Sequence, residues 1–219
     1  MTKGVVTIGR RHALAAAGAA LILPATRTPL RADTGTDAGA FAAINALNEG
    51  LVAAMKAGDS TPFVQRYQTL APVIKRVFDL DAILAASVGL TWAAIPDSQK
   101  TMLAAAFRRY TISTYVANFD SFNGQRFEIL PPARAVGNGE VVVRTQLVRP
   151  DDSPVELDYV MRSGPDGFQV VDVLTDGSIS RVAVQRSDFR QKLESGGTPA
   201  LTAGLDLKVA NLAGSMMPG

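Results

Sequence analysis

Between Phe119 and Phe127 the hydrophobic pattern of this chain changes period, from apolar residues three or four positions apart to apolar residues at every second position. One kind of element cannot satisfy both periods. The change therefore divides the chain into a helical first half and a strand-rich second half, the segregated order of an α+β fold. Upstream, Phe41, Ile44, Leu47, Leu51, Val52 and Met55 predict an amphipathic helix over 40–57, closed by Gly58-Asp59. Thr61-Pro62 reads as a cap and a first helical residue leading through Phe63, Val64, Tyr67 and Leu70, with Pro72 breaking or kinking that helix. A helical stretch over 73–77 follows, then a helix over 82–90 that Asp79 or Asp81 can cap. Ile95-Pro96-Asp97-Ser98-Gln99 opens the longest helical pattern, 98–119, whose wide apolar face predicts burial on more than one side.

Downstream, 127–130, 140–149, 154–162 and 167–174 read as four strands. Val141, Val143, Thr145 and Leu147 share a face, and Val155, Leu157, Tyr159 and Met161 share another, opposed by Glu156, Asp158 and Arg162 on a wetted side. Three short connectors, Gly137-Asn138-Gly139, Pro150-Asp151-Asp152-Ser153 and Gly164-Pro165-Asp166-Gly167, make the strands antiparallel neighbours in a meander. After the Asp176-Gly177 turn, Ser187 offers a cap to a helix over 188–194 ended by Gly196-Gly197. Thr198-Pro199 then starts a last helix to about residue 213, and 214–219 should fray.

The first 32 residues follow different rules. Lys3, Arg10 and Arg11 precede an apolar run over 13–23, too short to span a bilayer, followed by Pro24 and small residues. This predicts a secretory signal peptide over 1–32, cleaved after Ala25 or, preferably, after Ala32, with 33–39 as a flexible mature N-terminus and 40–213 as a single domain. Arg10-Arg11 fits either a basic leader for the Sec route or a loose twin-arginine signal; either route ends in the periplasm. No later apolar run reaches membrane-spanning length. Losing the signal removes five of the 22 basic residues and none of the 20 acidic ones, which turns a formal charge of +2 into −3. A nucleic-acid partner, which needs a basic patch, loses its support.

Chemistry is limited by what is missing. His12, the one histidine, lies in the signal, and there is no cysteine, so the mature chain lacks the residues of Ser-His-Asp and Cys-His catalysis and of most metal and haem sites. No cysteine also means no lipoprotein anchor and no disulfide. Gly137-Asn138-Gly139 joins strands and Gly196-Gly197 ends a helix, so neither cradles phosphate. The acidic residues sit mostly at turns and helix starts, where capping accounts for them. No catalytic residue, metal or cofactor is expected, and the chain is read as a non-enzyme. Asp172, inside an apolar strand, reads either as a polar contact at a cavity mouth or, more simply, as a residue on the exposed edge or one paired with an Arg such as Arg144 or Arg162.

Several blocks then resemble one family in order along the chain. Leu70-Ala71-Pro72-Val73-Ile74 with Val77-Phe78-Asp79-Leu80, then Gly89-Leu90-Thr91-Trp92, then Ile95-Pro96-Asp97-Ser98-Gln99 with Phe107 and Tyr110, are similar to blocks of the MlaC (toluene-tolerance) family. Phe168-Gln169-Val170-Val171-Asp172-Val173 stands where that family usually has Trp-Lys-Val-x-Asp-Val. Asp176-Gly177-Ser178-Ile179-Ser180 with Gln185-Arg186-Ser187-Asp188-Phe189 is closer to the HpnM branch, associated with hopanoids. Ile95 departs from the family's threonine. The resemblance implies a curved four-stranded antiparallel sheet of NTF2-like character, with N-terminal helices packed on it and C-terminal helices enclosing an apolar cavity.

It also implies a function: a periplasmic carrier of phospholipid, or of a hopanoid-like lipid, serving an inner-membrane transport complex of the MCE-type ABC class or a hopanoid exporter. An outer-membrane lipoprotein complex is a further implied partner, and the carrier is expected to be a monomer. Lipid tails need only a continuous apolar lining, at about 0.8 kcal/mol per buried methylene, and so leave no motif. The candidate lining is Leu103, Phe107, Tyr110 and Tyr115 from the long helix with Val141, Val143, Leu147, Leu157, Tyr159 and Met161 from the strands. The alternative is an envelope adaptor with a solid core and an exposed apolar patch.

Overall fold

The structure, a computed structural model, describes residues 34–150 and 152–214. The predicted signal peptide over 1–32 and the tail expected to fray over 214–219 lie outside the described residues, apart from Gly214. The first helix, α1 (Thr34–Ala57), buries Ala40, Ile44, Leu47, Leu51 and Ala54 along one stripe. It begins six residues before the predicted start, so 34–39, expected to be flexible, forms its first turns. By length and composition its 37–57 stretch could cross a membrane, contrary to the expectation of no such run. Its apolar stripe is instead packed in the core of the domain.

Gly58 closes α1 at φ +71°, and Thr61 donates from Oγ1 to the Ala57 carbonyl at 2.7 Å. Thr61 therefore satisfies the end of α1 and does not cap the next helix. That helix, α2 (Phe63–Val77), runs through Pro72 as one element, because Leu70, Ala71, Ile74 and Val77 bury a common face that tertiary packing rewards. Arg66 lies almost fully buried in its first turn and donates to the carbonyls of Thr61 and Val116, tying α2 to the end of α4. Helix α3 (Leu80–Val88) is capped by Asp79, whose carboxylate accepts from the Ala82 amide at 2.9 Å. A 3₁₀ turn over Gly89–Ala94 leads to α4 (Asp97–Asn118), close to the predicted limits.

The sheet has seven strands: β1 (Arg126–Ile129), β2 (Arg134–Gly137), β3 (Glu140–Val143), β4 (Thr145–Val148), β5 (Val155–Gly164), β6 (Gly167–Thr175) and β7 (Ile179–Ser180). All pairings are antiparallel. The path is the predicted meander with breaks. β1 pairs with β4 and β2 with β3, while β3 and β4 both pair with β5, so the edge strand (β1 and β2) and its inner neighbour (β3 and β4) are each interrupted at one level. Pro131-Pro132, which offers no backbone donor, separates β1 from β2 opposite Arg144, the residue between β3 and β4. The Leu130 amide reaches the Arg144 carbonyl across the gap at 2.9 Å. One extra residue on β6 between Val170 and Asp172 adds a bulge, and breaks with a bulge are what bend a sheet.

Helices cover one face of the sheet, with α1 lying on β3 and β6 and with α2, α3 and α5 on β6. The other face is less wetted than its charges suggest: Val142 and Asp158 are buried there. Helix α5 (Arg181–Gly214) starts seven residues earlier than predicted. Its cap is Ser180, whose Oγ accepts from the Ala183 amide at 2.9 Å, and not Ser187. The predicted break is present inside it, with Gly196 and Gly197 in non-helical conformations.

Candidate functional site

Helix α4 stands away from one end of the sheet, and the gap is a cavity of about 710 Å³. Its floor is the helix-facing side of β4, β5 and β6, through Leu147, Val155, Leu157, Tyr159 and Val173. Its roof is the row Phe107, Tyr110, Thr111, Thr114, Tyr115 and Asn118 of α4, residues three or four apart on one helical face, with Phe119 directly after the helix. Met55, Phe78, Ile83 and Val182 close the deep side. Aromatic packing holds that wall in place, since Phe78 leans on Tyr115 at 5.4 Å, Tyr115 stacks on Phe119 at 6.0 Å, and Phe119 meets Phe127 at 5.9 Å.

Exposure separates mouth from depth. Phe78, Ile83, Phe107, Tyr159 and Val182 are buried, whereas Asn118, Ser121, Arg149 and Arg181 are exposed lining residues. The depth is apolar with phenol hydroxyls, and the rim is polar. Burial pushes the Tyr115 phenol well above its ordinary pKa; the nearby Tyr159 adds to this and the Arg181 guanidinium opposes it. Tyr159 is raised by burial as well. Both phenols stay neutral at any physiological pH, so the interior carries no anion of their making.

Of the ten predicted lining residues, Phe107, Tyr110, Tyr115, Leu147, Leu157 and Tyr159 are on the cavity wall. Leu103, Val141, Val143 and Met161 are not; they belong to the solid core. The reason is the position of α1. Met161 shares a strand face with Leu157 and Tyr159, but α1 covers that end of the sheet and leaves the other end open. Leu103 is one helical turn from Phe107 on α4 and has no void beside it. The polar rim, Asn118, Ser121, Gln125, Arg149 and Arg181, was not anticipated, because residues in loops and at the ends of helices and strands carry no periodic signal.

Asp172 lines the cavity, but neither Arg144 nor Arg162 pairs with it. Its Oδ1 accepts from the amides of Val173 at 2.7 Å and Val182 at 3.1 Å, and its Oδ2 from the Ser180 hydroxyl at 2.5 Å. The carboxylate joins β6 to β7 and to the first turn of α5. Gln185, also on the wall, accepts from the Ser87 hydroxyl at 3.0 Å, and Arg186 donates twice to the Ala86 carbonyl, at 3.0 and 2.8 Å. These bonds fix α5 against α3 beside the cavity. Trp92 is no part of the wall; its ring packs on the core beneath the Lys100 ammonium. Among the described residues no group of His, Asp or Glu side chains could hold a metal ion.

A family model described as MlaC protein matches residues 45–206, three-quarters of the chain and every residue that lines the cavity. This chain belongs to the MlaC family. MlaC proteins are periplasmic, non-enzymatic lipid carriers. Among solved structures, the fold matches a phospholipid-binding protein from Ralstonia solanacearum, determined in complex with a phospholipid, with a TM-score of 0.68 at 22% identity over 81% of this chain and 98% of that one. That match shows the α+β MlaC fold. No curated protein sequence matches the chain.

Proposed function

We propose that this MlaC-family chain is a periplasmic phospholipid carrier, the soluble component of an ABC-type lipid transport system working between the inner and outer membranes. The observation that carries the reading is the 710 Å³ cavity with an apolar floor, an aromatic deep wall and a polar rim. Its size falls within the roughly 300–1,000 Å³ of small-molecule sites. Taking a methylene at about the 30 Å³ of a liquid water, it holds on the order of twenty of them. Hydrocarbon tails would lie between α4 and the sheet, and the headgroup would remain at the mouth beside Asn118, Ser121, Arg149 and Arg181. Each methylene removed from water contributes about 0.8 kcal/mol, so the tails can be held without any special chemistry.

The phospholipid bound by the Ralstonia relative supports glycerophospholipid over a hopanoid as the cargo. Export through the signal over 1–32, work as a monomer, and hand-over to an inner-membrane MCE-type complex and an outer-membrane lipoprotein complex complete the proposal. The test is native mass spectrometry with lipid extraction on mature protein purified from the periplasm without detergent. A bound phospholipid is the expected result; a bound hopanoid would reassign the cargo. An apo mass that takes up neither lipid on incubation would overturn the carrier reading in favour of an adaptor.

A further inference from the structure

The charges at the mouth are unequal. Two arginines line it, Arg149 directly after β4 and Arg181 directly after β7, on opposite margins of the strand order β4-β5-β6-β7. Both are exposed, and both line the same cavity. The one carboxylate in the lining is Asp172, and its oxygens already accept from Val173, Ser180 and Val182. No ion pair engages Arg181 among the described residues, and its field is felt at the Tyr115 hydroxyl inside the cavity. Arg149 has Asp152 at 3.5 Å, an exposed pair of the kind that exchanges partners readily. The rest of the rim, Asn118, Ser121 and Gln125, is neutral.

Resting on the carrier reading, we infer that Arg149 and Arg181 are specificity residues that make this cavity prefer phospholipids whose headgroup carries net negative charge. A zwitterionic headgroup presents its own cation to the same rim and loses the advantage. An uncharged lipid gains nothing from either guanidinium. The contacts lie at an exposed rim, where charge attraction is modest and is screened by salt.

The experiment is a competition. Delipidated mature protein is offered equal amounts of phosphatidylglycerol and phosphatidylcholine with identical acyl chains, and the bound ratio is read by native mass spectrometry at low and high salt. The expected ratio favours phosphatidylglycerol by about five- to tenfold at low salt, the scale of two partly exposed charge contacts, and falls as salt rises. Arg181→Gln and Arg149→Gln should each lower it by about threefold, and Arg181→Lys should restore most of it. Arg162→Gln, on a side chain paired with Glu140 and absent from the lining, is the control for non-specific charge and should leave the ratio unchanged.

Equal uptake of the two lipids by the unsubstituted protein would overturn the inference while leaving the carrier reading intact; so would a ratio that responds to Arg162→Gln as strongly as to Arg181→Gln. Uptake of neither lipid would instead remove the carrier reading itself. Inorganic phosphate added in excess should not displace bound phosphatidylglycerol, and displacement would make the rim a free-anion site and overturn the inference.

Discussion

Two aspartates, both on strands, have opposite relations to the fold. Asp172 accepts three hydrogen bonds and organises the passage from β6 through β7 into α5. Asp172→Ala would leave a hydroxyl and two amides without their acceptor, so a loss of about 1–3 kcal/mol in urea unfolding is expected, with weaker lipid retention because α5 forms part of the wall. Asp158 is the contrary case. It is 7% exposed, and burial raises its pKa, with the Thr145 amide and the charges of Arg144 and Arg134 opposing and Glu156 adding. The native state thus holds the proton more tightly than the unfolded chain. Stability falls as pH rises from the unfolded value near 3.9 through the higher folded value, and the penalty is complete above it. Asp158→Asn should therefore raise Tm at pH 7, the difference vanishing near pH 3; an unchanged Tm at pH 7 would contradict this account.

The interruptions of the elements matter as much as the elements. Gly197 holds the break in α5 at φ +66° and ψ −162°, a region essentially confined to glycine where another residue costs about 1–3 kcal/mol, so Gly197→Ala should destabilise by about that amount in chemical unfolding. At Gly50 the constraint is space: a Cβ would stand 3.0 Å from Val73 Cγ1, where α1 and α2 cross. Of such features the sequence announced those with turn chemistry. Gly196-Gly197 was readable as a helix break and Asp79 as a cap, because glycine and aspartate act there through their own backbone and side chain. The continuity of α2 through Pro72, the start of α5 at Arg181 and the division of one long strand at Arg144 were not readable, since each depends on what packs against the segment.

At the scale of the molecule, the cavity exists because α1 covers one end of a bent sheet and α4 stands off the other. This distinguishes wall from core by experiment. In lipid-free protein Leu103→Ala should cost about 2–5 kcal/mol, as for any tightly packed leucine, whereas Leu147→Ala, whose methyls already border a void, should cost clearly less. Val173→Trp, which fills the cavity from the floor, should reduce the lipid recovered on extraction more than it reduces Tm. The sequence by itself determined the α+β class, the antiparallel meander, and the apolar faces from which a lining could be drawn. Those follow from period, turn residues and composition, which are local properties. Only the tertiary structure decided that Tyr159 lines a void while Met161, two residues along the same face, is packed in the solid core, and that Arg149 and Arg181 line one cavity. Burial of one apolar face looks the same in sequence whether its partner is a helix or a lipid; the difference lies in where distant elements come to rest.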